Sequence, residues 1–283
     1  IVLLLFGDHL TGGEITTTHY IGFLLGGLVL MVGGYIDDRY ELKPWQSILA
    51  PLFAALLAIG FGIEVEKLTN PLGGVVYLSA WQSDLLVFVW LLVVMYTTKF
   101  LDGLDGLATG ISSIGACMIM LLSLTVAYFQ PDVALLSVIC LGAFLGFLFL
   151  NFHPALIFLG EGGSTFVGYT LGILAVISGG KLATALLVLG IPFLDLIWVV
   201  VRRFMNGGMK RAVQGDRKHL HHRLLDLKLG QRRIVLLYYG IAGIFGATTL
   251  FLQSRDKLIA LILLAVIMVI VSFFLVLREK PKV

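Results

Sequence analysis

Long apolar runs broken by short polar joints organise this chain from end to end. After an opening apolar fragment at 1–6, apolar stretches occupy 19–36, 46–62, 83–98, 107–128, 133–150, 164–178, 183–201, 234–252 and 258–277. Each run is continuous rather than alternating with period two, which excludes the strands of a lipid-embedded barrel. In hydrocarbon a lone segment satisfies its own N–H and C=O groups only as a helix. A span takes about 20 residues, and tilt and flanking residues complete the stretches that fall short. The opening fragment is too short to cross and reads as the end of a helix that begins before Ile1. The pattern predicts an all-α, polytopic transmembrane bundle of about nine full helices plus a partial N-terminal one. It forms a single integral membrane domain over 1–283. The joint at 63–82 places Asn70-Pro71-Leu72-Gly73-Gly74 before Val75-Val76-Tyr77-Leu78, turn residues beside a β-prone run, and predicts a small hairpin.

Composition agrees. The chain is 59% hydrophobic and 13% charged with a mean hydropathy of +1.00, whereas soluble chains carry about 25% charged residues. A soluble domain is excluded, and a net charge of +3 makes no case for nucleic acid. Cys117 and Cys140 sit in apolar runs without metal-site or disulfide spacing and read as small core residues. The placement of charge is more telling. If successive joints alternate sides, one side holds 37–45, 99–106, 151–163, 202–233 and the tail 278–283. That side carries all 20 Lys and Arg except Lys67, Lys181, Arg255 and Lys257. Positive residues gather in cytoplasmic loops. The chain is therefore expected to be multi-pass in the plasma (inner) membrane, with the hairpin extracytoplasmic. Asp37, Asp38, Asp102, Asp105, Glu161, His219, His221 and His222 fall on the same cytoplasmic side. Topology does not sort acids, so their gathering points to a shared polar site at that face.

Four constellations form this site. Gly33-Gly34-Tyr35-Ile36-Asp37-Asp38-Arg39 ends an apolar helix on two carboxylates, where the helix dipole is unfavourable to acids and a cation is needed. Lys99-Phe100-Leu101-Asp102-Gly103-Leu104-Asp105-Gly106 joins two helices. If it is helical, Lys99, Asp102 and Asp105 share a face one turn apart. Like charges this close need a cation between them: either Lys99, in a structural ion pair, or a metal or a substrate's ammonium. Asn151-Phe152-His153-Pro154 ends one helix, and Gly160-Glu161-Gly162-Gly163-Ser164 opens the next. A glycine-rich helix start offers N–H groups to phosphate, with a divalent cation needed between that phosphate and Glu161. Gly215-Asp216-Arg217-Lys218-His219-Leu220-His221-His222-Arg223 brings basic and proton-donating groups suited to phosphate. Asp195, shortly after Pro192 in an apolar run, reads equally as a structural partner or a catalytic group.

Taken in order, GGYIDDRYEL, FLDGLDGLATG, NFHPALIFLGEGGSTFVG, GIPFLDLIWVVVRR and GDRKHLHHRLLDLKLGQRR resemble the polyprenyl-phosphate N-acetylhexosamine-1-phosphate transferases over residues 33–233. HLHHRLL places the resemblance nearer the GlcNAc-phosphate branch. The resemblance implies transfer of HexNAc-1-phosphate from a UDP-sugar to polyprenyl phosphate with release of UMP, and it is compatible with a homodimer. It implies that Asp37 and Asp38 face the lipid phosphate and that Asp102, Gly103, Leu104 and Asp105 line the nucleotide pocket. Asn151 and Phe158 would hold and stack on uracil. Arg217, His219, His221, His222 and Arg223 would contact sugar and diphosphate, and Glu161 would bind Mg²⁺. Two positions depart from the family pattern: Lys99 stands where an Asn is usual, and Glu161 where an Asp is usual. Both touch the implied metal site, so the ammonium of Lys99 competes with Mg²⁺ for the same task. An inactive scaffold and a lipid-linked sugar transporter are the alternative functions.

Overall fold

A computed structural model describes residues 15–71, 73–179, 181–207, 220, 224–225 and 229–278. Its helices are α1 (Thr17–Tyr40), α2 (Pro44–Ser47), α3 (Leu49–Gly60), α4 (Ala80–Leu101), α5 (Leu107–Ser123), α6 (Pro131–Asn151), α7 (Gly160–Ile177), α8 (Leu182–Val188), α9 (Gly190–Gly207), α10 (Gln231–Thr248) and α11 (Ser254–Arg278). Strands β1 (Lys67–Thr69) and β2 (Val75–Tyr77) pair antiparallel, with Leu68 opposite Val76, and form the expected hairpin. All nine apolar stretches are helical. Local sequence sets their ends. Thr16 Oγ1 accepts the His19 N–H while the His19 ring accepts the Thr16 N–H, a capping box that starts α1. Pro44 and Pro131 open α2 and α6, where a missing N–H costs nothing.

Two stretches differ from the expectation. The run at 46–62 is divided between α2 and α3. The run at 183–201 bends by 77° between α8 and α9. Proline explains the position of that bend: Pro192 has no N–H to give the Val188 carbonyl, and α8 ends at Val188. Among the described residues, α1, α4 and α6 are each long and apolar enough to cross a membrane, and the bent α8–α9 pair would make a fourth span. The shorter apolar helices at Pro44–Gly60 and Leu107–Ser123 add to these. The helix α7, by contrast, is buried along most of its length and is rich in glycine and hydroxyl residues.

The central α7 lies between α1 and α4, with α5 and α6 paired beside it. Small residues set these crossings. A Cβ on Gly34 of α1 would fall 2.1 Å from the Cα of Gly162 in α7, and one on Gly168 would fall 2.1 Å from Thr98 Oγ1 of α4. Close backbones allow interhelical hydrogen bonds. Thr98 Oγ1 donates to the Ser164 carbonyl (3.0 Å), Trp90 Nε1 to the Gly172 carbonyl (3.0 Å) and the Tyr169 hydroxyl to the Gly22 carbonyl (3.1 Å). Polar groups then collect at the two ends of the bundle. At one end Asp132 Oδ2 accepts the Ile15 N–H, and Lys181 Nζ binds Ser123 Oγ (2.9 Å) and Gln130 Oε1 (2.6 Å). The other end gathers the termini of α1, α4 and α6 with the starts of α5, α7 and α10.

Candidate active site

The paired carboxylates at the end of α1 have different tasks. Asp37 closes its own helix: Oδ1 accepts the Leu42 N–H (2.9 Å), and its carbonyl accepts the Glu41 N–H (2.8 Å). Asp38 crosses to α7, where both its oxygens accept the Glu161 N–H (3.0 and 3.1 Å). Gly160 makes this approach possible. Its φ of +66° lies in the left-handed region, and a Cβ there would sit 2.5 Å from Asp38 Oδ2. The glycine-rich helix start was expected to present its N–H groups to a phosphate. At Glu161 the anion held is the protein's own Asp38, which suits the positive end of the α7 dipole.

Beside this contact, Lys99 in the last turn of α4 forms an ion pair with Glu161 in the first turn of α7. Each charge is opposite in sign to the dipole end on which it sits, which favours both. Ser47 of α2 joins them, accepting from Lys99 Nζ (3.4 Å) and donating to Glu161 Oε1 (3.4 Å). The ammonium also lies 5.4 Å from the centre of the Tyr96 ring. Lys99 and Glu161 are partly exposed, at 24% and 20% of their side-chain surfaces.

The Asp102–Asp105 segment is a turn rather than the helical face considered from the sequence. The helix α4 ends at Leu101, and Gly106, at φ +78°, holds a left-handed conformation that a helix does not propagate. Tyr239 of α10 fixes this turn by donating to the Gly106 carbonyl. Asp105 Oδ2 pairs with His153 Nδ1 (2.6 Å) and accepts the Ala155 N–H (3.3 Å). Arg232 Nε donates to the His153 carbonyl (2.9 Å), binding the start of α10 to the same corner. The two acids respond oppositely. Burial, then the charges of Asp105 and Glu161, push the Asp102 carboxyl up to about 7. Burial also raises Asp105, but the hydrogen bonds from His153 and Ala155, the His153 charge and a bond from Gln231 together hold it below its ordinary value.

Of the other expected site residues, Gly103 is exposed, whereas Leu104 is 5% exposed and belongs to the core. Asn151 is buried. Its Oδ1 accepts from Gly106 N (3.1 Å) and Thr109 Oγ1 (3.0 Å), and its Nδ2 donates to the Ile157 carbonyl (2.9 Å). Its side chain ties the Asp105 turn to the loop that carries Phe158, whose ring is 73% exposed. Asp195 is buried in α9 and accepts the Leu220 N–H (3.0 Å), which anchors one point of the histidine segment. His219, His221, His222, Arg217 and Arg223 lie outside the described residues. Sequence reasoning did not single out Ser47, His153, Gln231 or Arg232. His153, Gln231 and Arg232 lie inside motifs already noted; Ser47 carries no local signal of a role.

Comparison with known proteins follows this geometry. The model of glycosyl transferase family 4 matches residues 20–179. A probable undecaprenyl-phosphate N-acetylglucosaminyl 1-phosphate transferase from Bacillus subtilis (strain 168) is 30% identical over 267 residues, covering 92% of this chain and 73% of that protein. A decaprenyl-phosphate N-acetylglucosaminephosphotransferase from Mycobacterium tuberculosis is 34% identical over 277 residues, covering 87% and 68%. A phospho-N-acetylmuramoyl-pentapeptide-transferase from Moorella thermoacetica is 31% identical over 239 residues, covering 83% and 72%.

Proposed function

The chain belongs to glycosyl transferase family 4, and from that premise we propose that it transfers N-acetylglucosamine 1-phosphate from UDP-GlcNAc to a polyprenyl phosphate, with release of UMP. The names of its relatives support the acceptor and the sugar phosphate. The motif resemblance supports a uridine donor, and the Lys and Arg distribution supports a site on the cytoplasmic face. The observation that carries the reading is the joint between α1, α4 and α7. There Asp38, Glu161, Lys99 and Ser47 interlock beside the Asp102–Asp105 turn, at one end of an apolar bundle. A transporter would place such groups near the bilayer midplane on broken helices.

The reaction joins two anions, so the protein must mainly neutralise and align. An oxygen of the lipid phosphate attacks the donor phosphorus that bears the sugar. A new P–O bond forms, the bond to the UMP oxygen breaks, and UMP leaves with the electron pair. If the lipid phosphate arrives protonated, Asp102 takes the proton, because its affinity matches neutral pH. Asp38 is committed to the Glu161 N–H and Asp37 to Leu42, so both brace the site. Asp105, held by His153 and Ala155 through Oδ2 and bonded by Gln231, presents its carboxylate edge to the uracil. Phe158 offers its exposed ring for stacking. Arg217, His219, His221, His222 and Arg223 contact the sugar and diphosphate.

Mg²⁺, which the resemblance implies at Glu161, fits the residues poorly. Glu161 Oε1 is held by Lys99 and Ser47, and among the described residues no three His, Cys, Asp or Glu side chains converge.

The test is UMP release by the purified full-length protein given undecaprenyl phosphate and UDP-GlcNAc. Wild type should release one UMP per lipid-linked sugar. Asp105→Ala should turn over at least about 100-fold more slowly, the range seen when a key polar contact is removed, while remaining folded. Absence of UMP with every UDP-HexNAc would overturn the reading, and wild-type turnover by Asp105→Ala would misplace the uracil.

A further inference from the structure

We propose that the Lys99 ammonium, fixed by Glu161 and Ser47, is the resident cation of this active site and neutralises the donor diphosphate in place of a divalent metal. The inference rests on the transferase reading. It begins with a coincidence in space: the two positions that depart from the family pattern, Lys99 and Glu161, are far apart in the chain and form an ion pair in the fold. They therefore act as one unit, a cation and the carboxylate that anchors it.

The geometry supports a fixed cation. Lys99 emerges from the C-terminal turn of α4 and Glu161 from the N-terminal turn of α7, so each helix dipole favours the charge placed on it. The crossing of these helices is held by the Thr98–Ser164 and Trp90–Gly172 hydrogen bonds, which gives the pair rigid supports. Glutamate carries one more methylene than aspartate, and that extra reach carries its carboxylate from α7 toward α4. An ammonium has three N–H bonds. Glu161 and Ser47 take two, leaving one donor and a partly exposed positive charge for phosphate oxygens.

The same arrangement works against Mg²⁺. That ion takes about six oxygens in a near-octahedral shell, but the nearby carboxylates other than Asp102 already have partners, and burial beside Asp105 and Glu161 makes Asp102 hold its proton more tightly than an ordinary carboxyl. Asp38 holds the Glu161 N–H, Asp105 holds His153, and Glu161 holds Lys99. A dication bound at Glu161 would also meet the ammonium at close range and be repelled by it.

Two measurements test this on the full-length protein. In the first, UMP release is followed in excess EDTA and in Mg²⁺ for wild type, Lys99→Asn and the double variant Lys99→Asn/Glu161→Asp. In the second, thermal unfolding in detergent is followed with Mg²⁺ alone. Wild-type turnover should agree between EDTA and Mg²⁺, and Mg²⁺ should leave its unfolding temperature unchanged. Lys99→Asn should lose at least about tenfold in EDTA, equivalent to about 1.4 kcal/mol of barrier. The double variant should regain turnover with Mg²⁺ and be stabilised by it. Wild-type turnover that stops in EDTA and returns with Mg²⁺ would overturn the ammonium proposal while leaving the transferase intact. Wild type that releases no UMP in either medium would instead sink the transferase reading. Unfolding still decides the cation in that case, because stabilisation of wild type by Mg²⁺ refutes the ammonium and stabilisation of the double variant alone supports it.

Discussion

Asp102 and Asp105 share one turn and are chemically alike, yet the fold pushes their proton affinities apart. Asp102 is half-buried beside two other acids and rises to about 7; Asp105 is held low by His153, the Ala155 N–H and Gln231. Such divergence assigns roles, since an ionised group can accept hydrogen bonds while a group near neutrality can exchange protons. If Asp102 accepts the proton, kcat/KM should fall about tenfold per pH unit below about 7, the slope of a single titration. Asp102→Asn should abolish that limb. A pH–rate profile from 5 to 9 measures both, and a flat wild-type profile would remove Asp102 from proton transfer. Stability carries the same signature with a defined sign. Between the ordinary carboxyl value and about 7 the folded chain binds this proton more tightly than the unfolded one. The Asp102 contribution to stability is therefore greatest at acid pH and declines as pH rises through 7.

Helix crossings carry these residues to one another. Asp38 reaches the Glu161 N–H only because Gly34 and Gly162 let α1 and α7 touch backbone to backbone, and Gly160 leaves room for the carboxylate. Gly34→Ala would put a methyl group 2.1 Å from the Gly162 Cα and force the helices apart. Overpacking of this kind costs about 1–3 kcal/mol, so the variant should unfold at a lower temperature in detergent and lose turnover with it. Gly60→Ala is the control, since a Cβ there meets nothing within 4 Å. Equal unfolding temperatures for the two variants would refute the role given to the Gly34 crossing. The break between α8 and α9 was legible only in part. Pro192 announces a kink, but a proline removes the bond to the carbonyl four residues earlier, so the helix ends at Val188 rather than beside the proline.

At the scale of the whole molecule, the chain is an apolar bundle with polar chemistry at one end and structural polar clamps at the other. The charge bias predicts its orientation: Arg39→Cys should react with an impermeant maleimide only from the cytoplasmic side, and Lys67→Cys only from the opposite side. Labelling of Arg39→Cys and Lys67→Cys, in a chain with Cys117 and Cys140 replaced by Ala, measures this in vesicles of both orientations. Labelling from the reverse sides would invert the topology. The sequence by itself determined the membrane class, the positions of the helices, the hairpin and the acid motifs. Those features follow from local hydrophobicity, turn residues and short-range spacing. Only the tertiary structure decided which motif residues touch. It gave Lys99 to Glu161 rather than to Asp102 or Asp105 and drew Ser47 and His153 into the site. It also turned Asn151 and Leu104 inward as scaffold. Such pairings depend on where helices far apart in sequence cross. Crossing is set by the small residues and interhelical hydrogen bonds of α1, α4 and α7 acting together, which no single segment encodes.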